Sequence, residues 1–219
     1  MDAFDWLPTI PDASIDLVLT DPPYPSLEKH RAIGTTTRLK RAWFPVIPYE
    51  RFPTIFEHFY RILKPDTHCY VFSDWESLRP FASMGEVAGL RLWKPIVWDK
   101  VAMGMGYHYR ARCEFILFFE KGKRALNRAN VPDVIPVKRL NPRKAKPAEK
   151  PTELLRTLIA QSTNEGDLVC DPFGGSKATI FAAAQLGRRC CATDITWDAQ
   201  DEALGHYPLG QLPLPLGHP

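Results

Sequence analysis

An aliphatic run, residues 15–20, leads directly into the tetrapeptide Asp21-Pro22-Pro23-Tyr24, and this junction limits the fold more than any other feature. A short run rich in Val, Leu and Ile predicts a buried strand. Two consecutive prolines then end the strand, because proline has no N–H to donate to a neighbouring strand. In open α/β sheets, ligands bind at the carboxyl ends of the strands. The junction therefore predicts a stiff loop at a ligand site.

This loop carries groups that suit a flat molecule with an exocyclic amine. The Asp21 carboxylate and a backbone carbonyl of the loop can accept the two amine N–H protons, and the Tyr24 ring can stack on the flat face. The alternative is an ordinary proline turn, with Asp21 exposed and Tyr24 packed on the surface. The choice between them depends on a second motif.

The second motif is a strand, a glycine turn and a helix near the end of the chain. Residues 167–170 predict a strand, and an alanine-rich segment up to Gly187 predicts a helix that this glycine ends. The turn between them is Asp171-Pro172-Phe173-Gly174-Gly175-Ser176. Glycines there let the backbone approach a nucleoside-like cofactor closely. In dinucleotide folds an acid about 20 residues past the glycines bonds ribose hydroxyls, and Asp194 lies at that offset.

The charge of this turn selects among nucleoside cofactors. Asp171 would repel a pyrophosphate, and Lys177 lacks the spacing of a P-loop. A cationic cofactor without phosphates fits an acid-lined pocket better, which points to S-adenosylmethionine.

With both motifs present, the chain resembles the permuted β group of amino-methylating DNA methyltransferases, the adenine-N6 and cytosine-N4 enzymes. In that family, as here, the Asp-Pro-Pro-Tyr segment precedes the cofactor-binding Asp-Pro-Phe-Xaa-Gly-Ser segment. Further segments that resemble the family are 61–72, 92–98, 109–119 and 147–155, so the likeness spans nearly all of residues 2–195. The resemblance implies an α/β, Rossmann-like methyltransferase fold. Its sheet is mixed, mostly parallel and twisted, with helices on both faces and a circularly permuted motif order.

The resemblance also implies a role for each site residue. Asp21 and Pro22 would accept the target amine, Pro23 would stiffen the loop, and Tyr24 would stack on the flipped-out base. The implied cofactor-binding residues are Asp2, Lys150, Asp171, Pro172, Phe173, Gly174, Gly175, Ser176 and Asp194. Among them, Asp2 would contact the adenine ring and Lys150 would position the helix behind the methionine tail. The family usually has glycine at the place of Lys177, whose long stem we expect to reach solvent.

Two basic stretches are candidates for contact with double-stranded DNA. The first follows the proline loop and contributes Lys29, Arg31, Arg38, Lys40 and Arg41. Cations beside aromatic residues suit phosphates and an unstacked base. The alternative is a solvated loop whose aromatic residues anchor the next helix. The second stretch, 138–146, is interrupted by prolines and is either a solvated linker or a phosphate-binding arm.

Composition sets outer bounds on these expectations. With 219 residues, 45% of them hydrophobic, one α/β domain can bury a full core. We expect that domain over residues 1–206, divided into a catalytic half (about 1–120), a basic linker (about 121–146) and a cofactor half (about 147–206), with a flexible tail at 207–219. Five cysteines without metal-ligand spacing predict reduced thiols in the cytoplasm and no metal site. No signal peptide or membrane-length apolar run is present in the sequence.

The expected function is that of a site-specific DNA methyltransferase of the restriction-modification kind. Aspartate at position 21 is similar to the adenine-N6 enzymes, whereas serine is commoner there in the cytosine-N4 group. Because residues 121–140 leave no room for a large recognition domain, recognition would use short loops, and a homodimer is compatible with the resemblance. The alternatives are methylation of cytosine N4, of glutamine or of RNA, and a methylase-like DNA-binding module without catalysis.

Overall fold

The structure is a computed structural model that describes residues 1–27, 45–104, 108–141 and 149–205. Its α-helices are α1 (Ala3–Trp6), α2 (Phe52–Ile62), α3 (Trp75–Val87), α4 (Thr152–Ser162), α5 (Ala178–Gln185) and α6 (Ala199–Gly205). Its strands are β1 (Ile15–Thr20), β2 (Leu63–Ser73), β3 (Arg91–Asp99), β4 (Cys113–Lys121), β5 (Val134–Pro136), β6 (Leu168–Asp171) and β7 (Arg189–Ala192). Short 3-10 turns lie at Leu7–Thr9 and Tyr49–Arg51.

The strands form one seven-stranded sheet in the order β5-β3-β4-β2-β1-β6-β7. β4 runs antiparallel to both of its neighbours, and the other pairs are parallel. β1 lies beside β6, with Leu17 opposite Val169 and Val18 opposite Cys170. The carboxyl ends of these two strands, and therefore the two motifs, meet at one edge of the sheet.

Two hydrophobic cores, one on each face, hold the sheet. Val18 of β1 belongs to the core covered by α1, α2 and α3, whereas Leu17 and Leu19 belong to the core covered by α4 and α5. This alternation follows from the two-residue period of a strand. On α2, five apolar side chains at helical spacing form one buried stripe: Phe52, Ile55, Phe56, Phe59 and Ile62. The predicted fold class is confirmed, with helices on both faces of a mixed, mostly parallel sheet.

The strands and the helix of the two motifs lie close to their predicted positions. β1 begins and ends as predicted, and β6 is shifted by one residue from the predicted range. Gly187 follows the helix of the second motif with φ +70°, where only glycine is unstrained, so the predicted stop is confirmed. β5, by contrast, lies within the stretch expected to be a linker. It was missed because three residues ending in a proline give no periodic signal.

Within the described ranges, no helix combines the length and apolar character needed to cross a membrane.

Candidate active site

A cavity of about 370 Å³ opens where β1 and β6 end. Residues of both motifs line it: Asp21, Pro22, Pro23 and Tyr24 from the first, and Asp171, Phe173, Gly174, Gly175, Ser176 and Asp194 from the second. Lys150 and Glu114 complete the wall between them. The cavity has the size of a small-molecule site, for which about 300–1,000 Å³ is typical. The sequence-predicted proline loop and glycine turn are thus brought together.

Asp171 is the buried anchor of the glycine turn. Its carboxylate accepts hydrogen bonds from Thr20 Oγ1 (2.8 Å), Thr179 Oγ1 (2.6 Å) and the Phe173 amide (3.1 Å). The bond from Thr20 joins the ends of β1 and β6 directly. Burial raises the pKa of Asp171 to about 6, although these three donors favour the charged form and lower it. The cavity therefore holds a carboxylate that is charged at neutral pH and available to a cation.

The turn after Asp171 is shaped by close packing and by left-handed backbone. A Cβ on Gly174 would lie 2.5 Å from Cη2 of Trp197, so any larger residue there would have to displace the indole ring. The Trp197 indole also donates a hydrogen bond to the Gly175 carbonyl (2.9 Å). Lys177 has φ +71° and ψ +14°, a conformation that favours glycine. This backbone explains why glycine is usual at that position.

The side chain of Lys177 does not reach solvent, so that expectation is wrong. Only 14% of the side chain is exposed, and its ammonium pairs with Asp201. The ammonium also lies 5.8 Å from the centre of the Trp197 ring. An ion pair and an aromatic face together hold the stem against the turn.

Asp194 braces the glycine turn from the segment that follows β7. Its Oδ2 accepts the Gly175 amide (2.9 Å), and its Oδ1 accepts the Thr196 amide (2.9 Å) and hydroxyl (2.6 Å). The carboxylate lies at the cavity wall, where the sequence predicted an acid for ribose hydroxyls.

Four charged side chains form a row on the other side of the cavity. Lys150 pairs with Asp21 Oδ2 through a short contact, and its Nζ lies 3.4 Å from Glu114 Oε2. Glu114 Oε1 in turn pairs with Lys100 at 2.6 Å. The row therefore alternates in sign: Asp21, Lys150, Glu114, Lys100.

Burial and these partners oppose each other in setting the pKa values. Burial raises the pKa of Asp21, and the Lys150 ammonium lowers it without cancelling that rise. For Glu114, burial also raises the pKa, but Lys150 and Lys100 together outweigh it, so the net change is downward. The pKa of Lys150 lies above its usual value, because the two carboxylates outweigh burial. The two carboxylates therefore favour the charged form of Lys150.

The rest of the proline loop is ordered around Asp21. The Tyr24 side chain is buried and meets Phe81 edge-on, with ring centres 6.4 Å apart. The Pro23 carbonyl accepts the Ile47 amide (2.8 Å). Neither Asp21 Oδ1 nor the Pro22 carbonyl takes a hydrogen bond from the described residues. The structure thus excludes a plain surface turn with Tyr24 packed outside.

Some sequence-predicted residues lie elsewhere. Asp2 is not in the cavity wall; its carboxylate caps α1 by accepting the Phe4 amide (2.9 Å). Pro172 follows β6 but does not line the cavity either. Lys150, by contrast, does line the cavity, on the side of Asp21. The DNA-contact candidates Lys29, Arg31, Arg38, Lys40 and Arg41, together with most of the second basic stretch and the tail 207–219, lie outside the described residues.

Sequence reasoning missed Glu114, which lines the cavity, and Lys100, which pairs with Glu114. They lie near the start of β4 and just after β3, far along the chain from both motifs. The available signal was a charged residue directly before an apolar run, since Glu114 precedes residues 115–119, all of them hydrophobic. Over the described residues, no cluster of three or more His, Cys, Asp or Glu is placed to hold a metal ion.

Comparison with known proteins shows which protein family this chain resembles. The family model described as DNA methylase, N6_N4_Mtase, matches residues 15–204. The Type II methyltransferase M.HhaII of Haemophilus parahaemolyticus is 27% identical over 206 residues, covering 89% of this chain and 89% of that protein. The DNA adenine methyltransferase YhdJ of Escherichia coli K12 is 28% identical over 232 residues, covering 89% of this chain and 76% of that protein.

Among solved structures, the M1.HpyAVI–SAM complex has a TM-score of 0.67 at 20% identity and covers 93% of this chain and 94% of that chain. At this identity the likeness establishes the fold.

Proposed function

We propose, from the premise that this chain belongs to the amino-methylating DNA methylase family, that it transfers the methyl group of S-adenosylmethionine to the N6 amine of adenine in double-stranded DNA. The observation that carries the proposal is the shared cavity. The proline loop and the glycine turn line it together, and the Thr20–Asp171 hydrogen bond fixes their spacing. Alignment of two bound reactants is worth several kcal/mol.

S-adenosylmethionine fits the glycine-turn side of the cavity. Asp171 offers a buried negative charge to a cationic cofactor, and Gly175, where a Cβ would meet no atom closer than 3.8 Å, leaves room for close approach of its nucleoside part. We assign Asp194 to the ribose hydroxyls and Phe173 and Ser176 to the surrounding wall. When bound, the cofactor's sulfonium supplies an activated methyl group. A solved relative of similar fold is described as a complex with this cofactor, which supports the assignment.

The target base fits the proline-loop side. A base must leave the duplex stack to reach this cavity. We assign Asp21 Oδ1 and the Pro22 carbonyl as acceptors of the two amine protons, since both take no other hydrogen bond from the described residues. These bonds favour the pyramidal, positively charging nitrogen of the transition state over the flat ground state. A charge-assisted bond of this kind contributes about 1.5–3 kcal/mol.

Two observations favour adenine N6 over cytosine N4. Position 21 is an aspartate, as in the adenine-N6 enzymes, and a relative that aligns with 89% of the chain is described as a DNA adenine methyltransferase. Cytosine N4 is the second candidate, because the matching family is named for both amines and both pose the same hybridisation problem.

The test is nucleoside mass spectrometry of plasmid DNA treated with the protein and the cofactor. N6-methyladenine is the expected product, and N4-methylcytosine would support the second candidate. Unmodified DNA that the protein nevertheless binds tightly would favour a non-catalytic module instead. An Asp21→Ala variant prepared in parallel controls for contaminating methylases.

The remaining expectations extend this proposal. We propose a single methyltransferase domain over residues 1–206, with DNA phosphates contacted by the basic stretch from Lys29 to Arg41. Target recognition by short loops predicts a short or relaxed recognition site. Methylation mapping that returned one long, strictly defined site would contradict this.

A further inference from the structure

The row of charges beside Asp21 poses a competition. The Asp21 carboxylate is already paired with the Lys150 ammonium, yet the proposed reaction needs it for a neutral amine. A charged donor binds a carboxylate more strongly than a neutral donor does. Unless Lys150 can pair with another group, the target amine meets a carboxylate that Lys150 has already largely neutralised.

The structure offers Lys150 a second partner. Glu114 Oε2 lies 3.4 Å from the Lys150 ammonium. A close N–H···O contact between charged groups measures about 2.7–2.9 Å, so a shift of about 0.6 Å would complete the second pair. The Lys150 side chain is 9% exposed, and its ammonium lies 5.1 Å from the centre of the Phe72 ring. Such a path keeps the cation out of bulk water.

Lys100 completes the arrangement by holding the far oxygen of Glu114. Its ammonium pairs with Oε1 at 2.6 Å, which leaves Oε2 directed at Lys150. The two carboxylates and two ammonium groups balance in charge. Wherever Lys150 pairs, it keeps a carboxylate partner, and Asp21 receives in its place an amine nitrogen that gains positive charge in the transition state, so neither group is left without a partner.

We propose that Glu114 is a positioning residue that receives Lys150 when the target amine binds Asp21. Lys150 rests on Asp21 while the base is absent and moves to Glu114 when the base enters. The pairing with Lys150 favours the charged form of Asp21 in the empty site, and the shift to Glu114 frees the carboxylate for the amine at the moment of reaction. This inference rests on the proposed methyl transfer to an exocyclic amine.

The central test is Glu114→Gln, which keeps the shape of the side chain and removes the charge that attracts Lys150. The expected result is a single-turnover methyl-transfer rate lower by roughly ten- to hundred-fold, the range in which a charge-assisted bond is lost. Binding of S-adenosylmethionine, measured by calorimetry, should stay within about two-fold of wild type. A role in folding alone would not produce this split between transfer and binding.

Glu120→Gln is the matched control. Glu120 lies on the same strand, is more deeply buried than Glu114, and accepts hydrogen bonds from Trp93 and the Arg124 amide rather than from any cavity residue. It therefore reports what a buried glutamine in β4 costs by itself. Lys150→Arg is a second variant that should keep the cation paired with Asp21, since a guanidinium donates two N–H groups to one carboxylate. If both variants trap it, their combination should be no slower than the slower single variant.

The outcomes separate the two levels of the argument. A wild-type protein that transfers no methyl group would overturn the proposed function, and this inference with it. A wild type that is active, with Glu114→Gln as fast as Glu120→Gln, would overturn the inference alone. Equal losses of transfer and cofactor binding, or strictly additive losses in the double variant, would also overturn it by reducing Glu114 to a structural residue.

Discussion

Replacing Asp21 by alanine should lower the rate of methyl transfer and leave cofactor binding unchanged. The reason is that Asp21 is proposed to bind the target amine, whereas Asp171 is proposed to bind the cofactor. The lost charge-assisted hydrogen bond is worth about 1.5–3 kcal/mol. At 1.36 kcal/mol per factor of ten, the single-turnover rate should fall by about 10- to 150-fold. The dissociation constant for S-adenosylmethionine should stay near that of wild type.

The same change has a cost in stability, which the structure bounds. Removing one partner of a buried ion pair destabilises a protein by about 3–5 kcal/mol. Here Lys150 keeps Glu114 at 3.4 Å, and the Asp21 side chain is 25% exposed, so about 1–2 kcal/mol is expected. In a domain of this size, that lowers the melting temperature by about 2–8 °C. The variant should therefore remain folded at 25 °C.

Asp21→Asn is the matched variant, since it keeps the shape and one neutral acceptor oxygen. A neutral hydrogen bond is worth about 0.5–1.5 kcal/mol, so its rate should lie between those of wild type and alanine. Transfer of tritiated methyl to DNA under single-turnover conditions measures the rates, and calorimetry measures cofactor binding. Full turnover in Asp21→Ala, or a loss of cofactor binding that accounts for the whole loss of rate, would refute the reasoning.

Three further predictions concern the cofactor side. Because burial places the pKa of Asp171 at about 6, its carboxylate is neutral at lower pH and attracts a cationic cofactor less; calorimetry should give a dissociation constant about ten-fold higher at pH 5 than at pH 8, and Asp171→Asn should flatten this dependence. Gly174→Ala should displace the Trp197 ring that its Cβ would strike, seen as a change in tryptophan fluorescence and weaker cofactor binding; unchanged spectra would contradict it. Lys177→Gly should change the free energy of unfolding by less than about 1 kcal/mol, because relief of the left-handed backbone offsets the lost pair with Asp201, whereas Lys177→Val should destabilise clearly in urea titrations.

The sequence predicted those parts of the fold that short stretches of contiguous residues determine. β1 and its proline stop, the strand-turn-helix of the second motif, and the stop at Gly187 are each specified by local chemistry. The meeting of the two motifs also followed, because the carboxyl ends of parallel strands share an edge. That part of the prediction depended on placing both motifs in one mostly parallel sheet, which the family resemblance supplied.

What the sequence could not give is the set of contacts between distant segments. Lys150 was expected to position the helix behind the methionine tail of the cofactor, and that expectation did not include its pairing with Asp21, 129 positions away. Glu114 and Lys100 enter the site because β4 and β3 bring them there, and no local pattern encodes that pairing. The expectation that Lys177 reaches solvent was wrong because its partner, Asp201, belongs to a helix beyond the next strand, and no local pattern indicates that pair.

The pairing of β1 with β6 has a consequence for how the protein comes into being. Thr20 and Asp171 touch although 151 positions separate them. A nascent chain on the ribosome therefore displays the proline loop long before the glycine turn has been translated. Pairing over such a span is also a slow event in folding. Neither half of the polypeptide alone contains a complete pocket, so fragments cut near residue 130 and expressed separately would regain activity only by reassociating.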